Sequence, residues 1–541
     1  MEEAMNIADS FVKIAGHYGD KTAIIEAKNG SEITFRGLNQ RADGYAAYFQ
    51  NQGLQPGDVV TLMVTPSIDF ICLSLALFKL GTPIVLIDPG MGYKNLLRCI
   101  ERVAPTYLVG IPKALLFSKL FKKPFSSLKG SFCCGNSFGL LGEDISKNIV
   151  QDPSAYPVYS PGSEDLAAII FTTGSTGPPK GVCYEHSIFS AQLRLIDEYY
   201  GIGASDVDQP AFPLFALFSA ALGACSVIPD MDSTKPAQVD PVKFISSIKK
   251  YGVTYSFGSP AIWNVVSKYC VRQNIVLASI EKVLMAGAPV PYELMGRVKS
   301  ILPASAQVFT PYGATESLPI VSIESKEILA ETYEMSRIGK GTCVGRPLPG
   351  VEIKTIELSD DVIEQFSEAK VVEEGEVGEI IVKGDVVTRA YMNNPEETKL
   401  AKITDGQTFW HRMGDVGYLD DKGRLWFCGR RAHRVVTSQV THYTIPCEAV
   451  VNEHQNVYRS ALVGVKNRNR DVEPVLIVEP EKECENVDLL LGEVQLLAGK
   501  NGLTSEIKHF LCHRDFPVDI RHNAKIFREK LAIWAQKKIY P

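Results

Sequence analysis

Residues 166–171, LAAIIF, form a continuous apolar run bounded by turn signals. A run so short and uniform fits a strand buried on both faces, and such strands belong to parallel sheets covered by helices. The next residues, TTGSTGPPKG, combine Gly174, Gly177 and Gly181 with the hydroxyls of Thr172, Thr173, Ser175 and Thr176, then Lys180. Glycines let backbone N–H groups approach a phosphate closely, hydroxyls add donors, and the lysine adds a charge that can follow the phosphates. This is not the P-loop of GxxxxGK[ST] type. Pro179 stands five residues after Gly174, and Gly181 rather than Ser or Thr follows Lys180. A flexible surface loop is the competing reading on composition alone. The strand in front and the single lysine behind favour a phosphate cradle.

The surrounding chain agrees with a parallel sheet. LNQRADGYAAYFQNQGL predicts a helix ending near Gly53, GDVVTLMV a strand, SIDFICLSLALFKLG a helix stopped by Gly81, and TPIVLID the next strand. Helices alternating with apolar strands imply βαβ units with right-handed connections. From 113 to 163 the signal weakens, and QDPSAYPVYSPGSED reads as a surface linker feeding the 166–171 strand. EHSIFSAQLRLIDEYY predicts a helix, and Pro260 is well placed in the first turn of another.

At 541 residues the chain exceeds one ordinary domain. With 45% hydrophobic and 22% charged residues, wholesale disorder is excluded. A net charge of −6 argues against nucleic acid as the partner. Twelve cysteines without a CxxC pair, two of them the adjacent Cys133 and Cys134, suggest buried, inert thiols in a reducing compartment. The acidic N-terminus lacks the pattern of a signal peptide. The most apolar region, 68–87, is broken by Asp69, Lys79, Gly81 and Pro83, so no transmembrane segment is expected. The expected location is the cytoplasm, with peripheral membrane association left open.

Further along, AFPLFALFSAALG at 211–223 is rich in aromatic and small residues and reads as core or as a greasy pocket wall. VLMAGAPVP predicts a strand and a tight turn at Gly287, Ala288 and Pro289, small enough to lie flat against a planar base. In VFTPYGATES, 308–317, Tyr312 offers a ring that can stack on a planar base, followed by Gly313 and Ala314. Thr315 offers a hydroxyl for phosphate, and Glu316 a carboxylate for Mg²⁺. In 378–431 a GD dipeptide holds Asp415 and a GR dipeptide holds Arg430, while Asp420 and Asp421 in LDDKG read as turn residues. The last segment reads as a small α+β unit, with SALVGV and EPVLIVEP as strands, IPCEAVVNEHQNV as a helix, and a final amphipathic helix preceded by Lys525.

TTGSTGPPKGV, YGATES, the GD and GR dipeptides and Lys525, in this order over essentially the whole chain, resemble the adenylate-forming superfamily of acyl-CoA synthetases, luciferases and peptide-synthetase adenylation domains. The resemblance implies an α/β fold. A large N-terminal domain, 1–430, with βαβ-built sheets would hold ATP and the acyl substrate, and a mobile α+β lid, 431–541, would close on it. It implies ATP and Mg²⁺, with Glu316 on the metal, Asp415 and Arg430 at the ribose, Lys525 as the adenylation lysine, and the 211–223 segment lining the acyl pocket. A carboxylate can accept both ribose hydroxyl protons, and Arg adds a fixed donor fork.

One region departs from the acyl-CoA synthetase pattern. In GRRAHRVVTSQVTHYTIPCE, Ala432 occupies the hinge position and Val436 the usual lysine position. These departures, with GRRAHRVVT, IPCEAVVNEH and FPVDIRHNAKIFREKLAIWA, resemble the β-lactone synthetases of bacterial long-chain olefin biosynthesis. That resemblance implies adenylation of a long-chain 2-alkyl-3-hydroxy fatty acid and closure by its own β-hydroxyl, without CoA. His433 then becomes a candidate base for that hydroxyl. It also suggests other olefin-pathway enzymes as partners in an assembly. The alternatives are a fatty acyl-CoA synthetase and, in another class, a nucleotide-binding scaffold without turnover.

Overall fold

The computed structural model describes residues 5–150, 153–172, 178–212, 214–518 and 525–540. The apolar run at 166–171 forms the strand Leu166–Thr172 in a six-stranded sheet. It lies parallel to Ile84–Leu86 on one side and antiparallel to Lys180–Glu185 on the other. Beyond Ile84–Leu86 the sheet continues, all parallel, through Val60–Met63, Tyr107–Gly110 and Gly130–Cys133. Four strands thus end at one edge with Leu166–Thr172, as βαβ units require. The sequence expectation placed no strand at Lys180–Glu185 or Gly130–Cys133. Lys180 therefore begins a strand that returns along the sheet.

The helix between the first two of these strands, Ile68–Leu80, is buried at every residue but Asp69. Ser67 caps its first turn by accepting from the Phe70 N–H, and Gly81 ends it at φ 71°. A side chain at Gly81 would be strained by that φ, and its Cβ would sit 2.4 Å from the Tyr159 ring. The expected surface linker at 153–163 is thus seated on the core. Tyr159 also donates from its hydroxyl to Asp165 at 2.7 Å, which fixes the entry to the Leu166–Thr172 strand.

The larger sheet has two characters. Thr22–Glu26, Cys225–Ile228, Val207–Asp208, Tyr255–Gly258, Lys282–Met285 and Gln307–Ala314 run parallel. From Gln307–Ala314 onward it is antiparallel, through Ser317–Glu324, Thr342–Pro347, Leu425–Arg430, Thr408–Leu419, Gly378–Lys383 and Glu352–Ile356. The fold is α/β as expected, but half of this sheet is built from hairpins rather than βαβ units. One turn is the expected LDDKG, where Asp420 accepts from the Lys422 and Arg424 N–H groups and from Trp426 Nε1.

Leu425–Arg430 leads into a one-turn 3₁₀ segment, Arg431–His433. The chain then builds a separate three-stranded sheet of Val457–Lys466, Val472–Pro480 and His509–Cys512. The helices Thr444–Asn452, Val487–Gly499 and Arg528–Ile539 accompany it, with cores of its own around Val451, Leu476 and Ile477. Arg337 joins this unit to the rest by an ion pair with Glu453 at 2.5 Å. All twelve cysteines are free. Ten are buried, and burial alone pushes the Cys428 thiol up to about 12, in accord with inert thiols.

Candidate active site

Two hairpins and the strand edges of both sheets converge on one cleft of about 2040 Å³. Cross-strand register fixes its best-defined corner. Asp415 on Thr408–Leu419 is the direct partner of Arg430 on Leu425–Arg430. Asp415 Oδ1 lies 2.9 Å from Arg430 Nη1, and Tyr312, reaching over from Gln307–Ala314, donates its hydroxyl to Asp415 Oδ2 at 2.6 Å. Burial raises the Asp415 pKa, and Arg430 and Tyr312 oppose that rise. Asp415 in turn raises the Arg430 pKa. Asp415 Oδ1 is buried and has no aligned hydrogen-bond donor, although Arg430 is near. A carboxylate oxygen at a cleft wall that is charge-paired but has acceptor capacity left over suits a hydroxyl-bearing ligand. Asp415 and Arg430, the pair to which the resemblance gives a ribose role, are thus brought together.

YGATES spans the turn of a hairpin. Ala314 pairs with Ser317 across the turn, so Thr315 and Glu316 form its two-residue tip. Gly313 cannot be replaced there without a shift, since its Cβ would lie 2.5 Å from the Ser317 carbonyl oxygen. Both backbone groups of the tip are tied down. Tyr184 donates to the Thr315 carbonyl at 2.5 Å, and the Thr388 N–H donates to the Glu316 carbonyl at 2.9 Å. The Glu316 carboxylate accepts from the Tyr391 hydroxyl at 2.7 Å. Among the described residues no group of three metal-ligating side chains exists. A single carboxylate suits Mg²⁺, which keeps several waters and takes its other ligands from substrate phosphates.

Lys180 pairs with Glu397 at 2.5 Å and lies 5.1 Å from the centre of the Tyr391 ring. Tyr391 thus touches both Lys180, through its ring, and Glu316, through its hydroxyl. Thr173, Gly174, Ser175, Thr176 and Gly177 lie outside the described residues, and of Thr172 only the backbone, the end of its strand, is described. Gly287 at φ 92°, Ala288 and Pro289 line the cleft after Lys282–Met285, as do Tyr312, Gly313 and Ala314.

The other wall belongs to the C-terminal unit. Lys525, His433, Arg528 and Glu448 all face the cleft. His433 Nε2 is 3.1 Å from Glu529 Oε1 on the last helix. A carboxylate only accepts, so Nε2 carries the proton and Nδ1 keeps a lone pair. Burial first, then the nearby Arg528 guanidinium, holds the His433 pKa below the usual imidazole range. Arg528 is itself anchored by two 2.7 Å hydrogen bonds to the Glu448 carboxylate. Ala211, Phe212, Leu214 and Phe215 line the cleft, and the Phe215 ring stacks on Phe257 at 3.8 Å.

Three participants were not singled out from sequence. Tyr391 and Glu397 lie in YMNNPEET, 391–398, but nothing in its pattern marks them. Lys402 is the third. Burial drives its pKa down to about 7 against the attraction of Glu316 and Glu185, and its ammonium donates to the Thr388 carbonyl behind the hairpin tip.

The fold is that of adenylate-forming enzymes. The amide bond synthetase McbA from Marinactinospora thermotolerans superposes with a TM-score of 0.81 at 21% identity, covering 98% of this chain and 99% of that one. ATP-bound MatB from Rhodopseudomonas palustris gives 0.79 at 22%, covering 99% and 100%. At such identities the likeness concerns the fold alone. Residues 11–392 match the model of the AMP-binding enzyme family, and the chain belongs to that family and is an adenylate-forming ligase. It is 41% identical to the olefin beta-lactone synthetase of Stenotrophomonas maltophilia (strain K279a), covering 100% of this chain and 99% of that protein. The 2-succinylbenzoate–CoA ligase of Bacillus licheniformis is 28% identical, covering 83% and 84%. No helix among the described residues is long and apolar enough to cross a membrane.

Proposed function

We propose that this ligase activates a long-chain 2-alkyl-3-hydroxy fatty acid as its adenylate and closes it to a β-lactone, releasing pyrophosphate and then AMP, with no CoA. The carrying observation is the 41% identity over full length to an olefin beta-lactone synthetase. The apolar cleft lining at Ala211, Phe212, Leu214 and Phe215 and the apolar residues Ala432 and Val436 in the hinge segment support the same reading.

In the first step a carboxylate oxygen attacks the α-phosphorus of ATP, and pyrophosphate leaves. Asp415 and Arg430 hold the ribose, Tyr312 and the 287–289 turn hold the base, and Lys180 with the 172–176 hydroxyls holds the phosphates. Mg²⁺, where bound at Glu316, supplies charge neutralisation for the phosphates. Lys525 meets the charge that develops on the α-phosphate, with Thr315 as a further donor. In the second step the β-hydroxyl oxygen attacks the activated carbonyl carbon. His433 Nδ1 takes the hydroxyl proton, and AMP leaves with the oxygen that linked it to the acyl group. Well-oriented intramolecular attack reaches effective molarities of roughly 10⁵–10⁸ M. Four-membered ring strain removes much of this, yet a dry cleft then needs no external nucleophile.

On this reading residues 1–430 bind the substrates and residues 431–541 act as a mobile lid in a cytoplasmic enzyme, with other olefin-pathway enzymes as candidate partners. The test is mass spectrometry of products from racemic 2-alkyl-3-hydroxy acids with ATP, with and without CoA. A β-lactone in both reactions supports the proposal. An acyl-CoA formed only with CoA assigns the chain to fatty acyl-CoA ligases instead.

A further inference from the structure

Residues 91–150 carry nine lysines and arginines against three acidic residues, in a chain whose net charge is −6. The same stretch holds the most exposed large apolar side chains of the N-terminal region. Phe138 is 87% exposed, Leu140 81% and Leu120 69%, and Tyr93, Leu116 and Phe121 are exposed as well. Topology gathers them. The helix Pro112–Leu120 and the 134–143 loop follow the neighbouring parallel strands Tyr107–Gly110 and Gly130–Cys133, so both leave from one sheet edge. Pro112 and Gly135 lie side by side there.

The patch is continuous with the cleft. Ala114 and Phe117, on the inner side of the Pro112–Leu120 helix, line the cleft. The Phe117 ring centre lies 4.7 Å from that of Phe121, which lies 6.5 Å from that of Tyr93, a 58%-exposed ring. A row of aromatic rings thus runs from the cleft wall to the surface. Lys94, Lys113, Lys119, Lys122 and Lys123 stand exposed around it. Of the acidic residues in the stretch, Glu101 is engaged by Lys123 at 3.0 Å, Asp144 accepts from the Gly135 and Ser146 N–H groups, and Glu143 accepts from Asn148.

We propose that this face, formed by the Pro112–Leu120 helix, the following FKK run, Tyr93 and the 138–140 loop tip, docks on an anionic lipid surface and opens the cleft towards it. Exposed apolar side chains ringed by lysines match such a surface in both respects. The rings and leucines enter the headgroup boundary while the ammonium groups pair with lipid phosphates. A protein partner would require only the apolar part. The docking face does not depend on the lactone reading. Only the idea that an acyl substrate enters from the lipid rests on it.

The test is flotation of the full chain with phosphatidylglycerol-containing vesicles and with pure phosphatidylcholine vesicles. Binding to the first, weak binding to the second and loss with added salt are expected. Each lysine near such a surface is worth roughly five-fold in partitioning, so Lys119→Gln with Lys122→Gln should lower it about 25-fold. Leu116→Ser with Leu120→Ser should abolish it, while pyrophosphate exchange with a short soluble acid stays at the wild-type level. Absence of flotation with any vesicle, or flotation of both double variants like wild type, overturns the proposal. Self-association at this face, seen by sedimentation and lost in the same variants without lipid binding, would assign it to a second copy and also overturn it. Vesicle binding without lactone formation would count against the proposed function and leave this surface standing.

Discussion

Replacing Asp415 by Asn tests the ribose corner with the smallest change of shape. Both groups that face the carboxylate, the Tyr312 hydroxyl at 2.6 Å and Arg430 Nη1 at 2.9 Å, are donors. An amide offers one acceptor oxygen and turns an NH₂ towards the second donor. The variant therefore loses one charge-assisted contact, and a bound ribose hydroxyl loses its acceptor. A hydrogen bond to a charged group contributes about 1.5–3 kcal/mol, so nucleotide affinity should fall roughly 10–150-fold. Calorimetric titration with AMP gives the affinity directly, and the KM for ATP in pyrophosphate exchange should rise with it. A urea midpoint controls for loss of the fold, since Arg430 is left beside a neutral partner. AMP affinity within about two-fold of wild type, in a folded variant, would refute the ribose assignment.

Lys525→Ala should slow adenylation by about 10²–10³ yet leave ATP binding nearly intact, because its ammonium meets charge that develops in the transition state. Pyrophosphate exchange and ATP titration separate the two, and near wild-type exchange would remove Lys525 from the mechanism. Glu316→Gln should raise the Mg²⁺ concentration needed for half-maximal exchange sharply, because the amide keeps the Tyr391 contact but loses the charge a hard cation wants. An unchanged Mg²⁺ titration would show that Glu316 is no ligand. His433→Ala should slow lactone release by about 10²–10⁴ in single turnover while pyrophosphate release keeps its rate. Because the His433 pKa is lowered, its neutral, proton-accepting form persists to lower pH than an ordinary imidazole would allow. The closure step should therefore lose rate on the acid side only below the usual imidazole range. Equal slowing of both steps in the variant would make His433 structural.

The sequence made the strand–helix alternation of 20–110 legible because each strand is a short apolar run and each helix ends on a strong signal, such as Gly81. It misled where turn-forming residues sit inside strands. Pro311 and Gly313 masked any strand signal in VFTPYGATES, yet pairing of Gln307–Ala314 with Ser317–Glu324 absorbs both. Lys180–Glu185 was hidden because its first residues complete a glycine-rich stretch, and His509–Cys512 because four residues carry too little pattern. Asp415, Arg430 and Tyr312 could be picked out by motif, but their mutual geometry depends on cross-strand register. Tyr391 shows the limit. It reaches Glu316 from 75 positions away and lies beneath Lys180 from 211 away, so only the folded sheet edges bring the three together. The pairing of His433 with Glu529, 96 positions apart, likewise has no local signature.

The central claim is that the substrate's own β-hydroxyl displaces AMP from its activated carboxyl carbon. Oxygen labelling tests this most directly. The acid is prepared with ¹⁸O in both carboxyl oxygens and ordinary oxygen in the hydroxyl, then given ATP and Mg²⁺ without CoA, and both products are weighed. The account predicts one ¹⁸O in AMP and one in the lactone, at its carbonyl. Unlabelled AMP with both labels in the lactone would mean that the hydroxyl had been activated and displaced instead. Free labelled acid with AMP and no lactone would mean hydrolysis of the adenylate. Either result would contradict the mechanism.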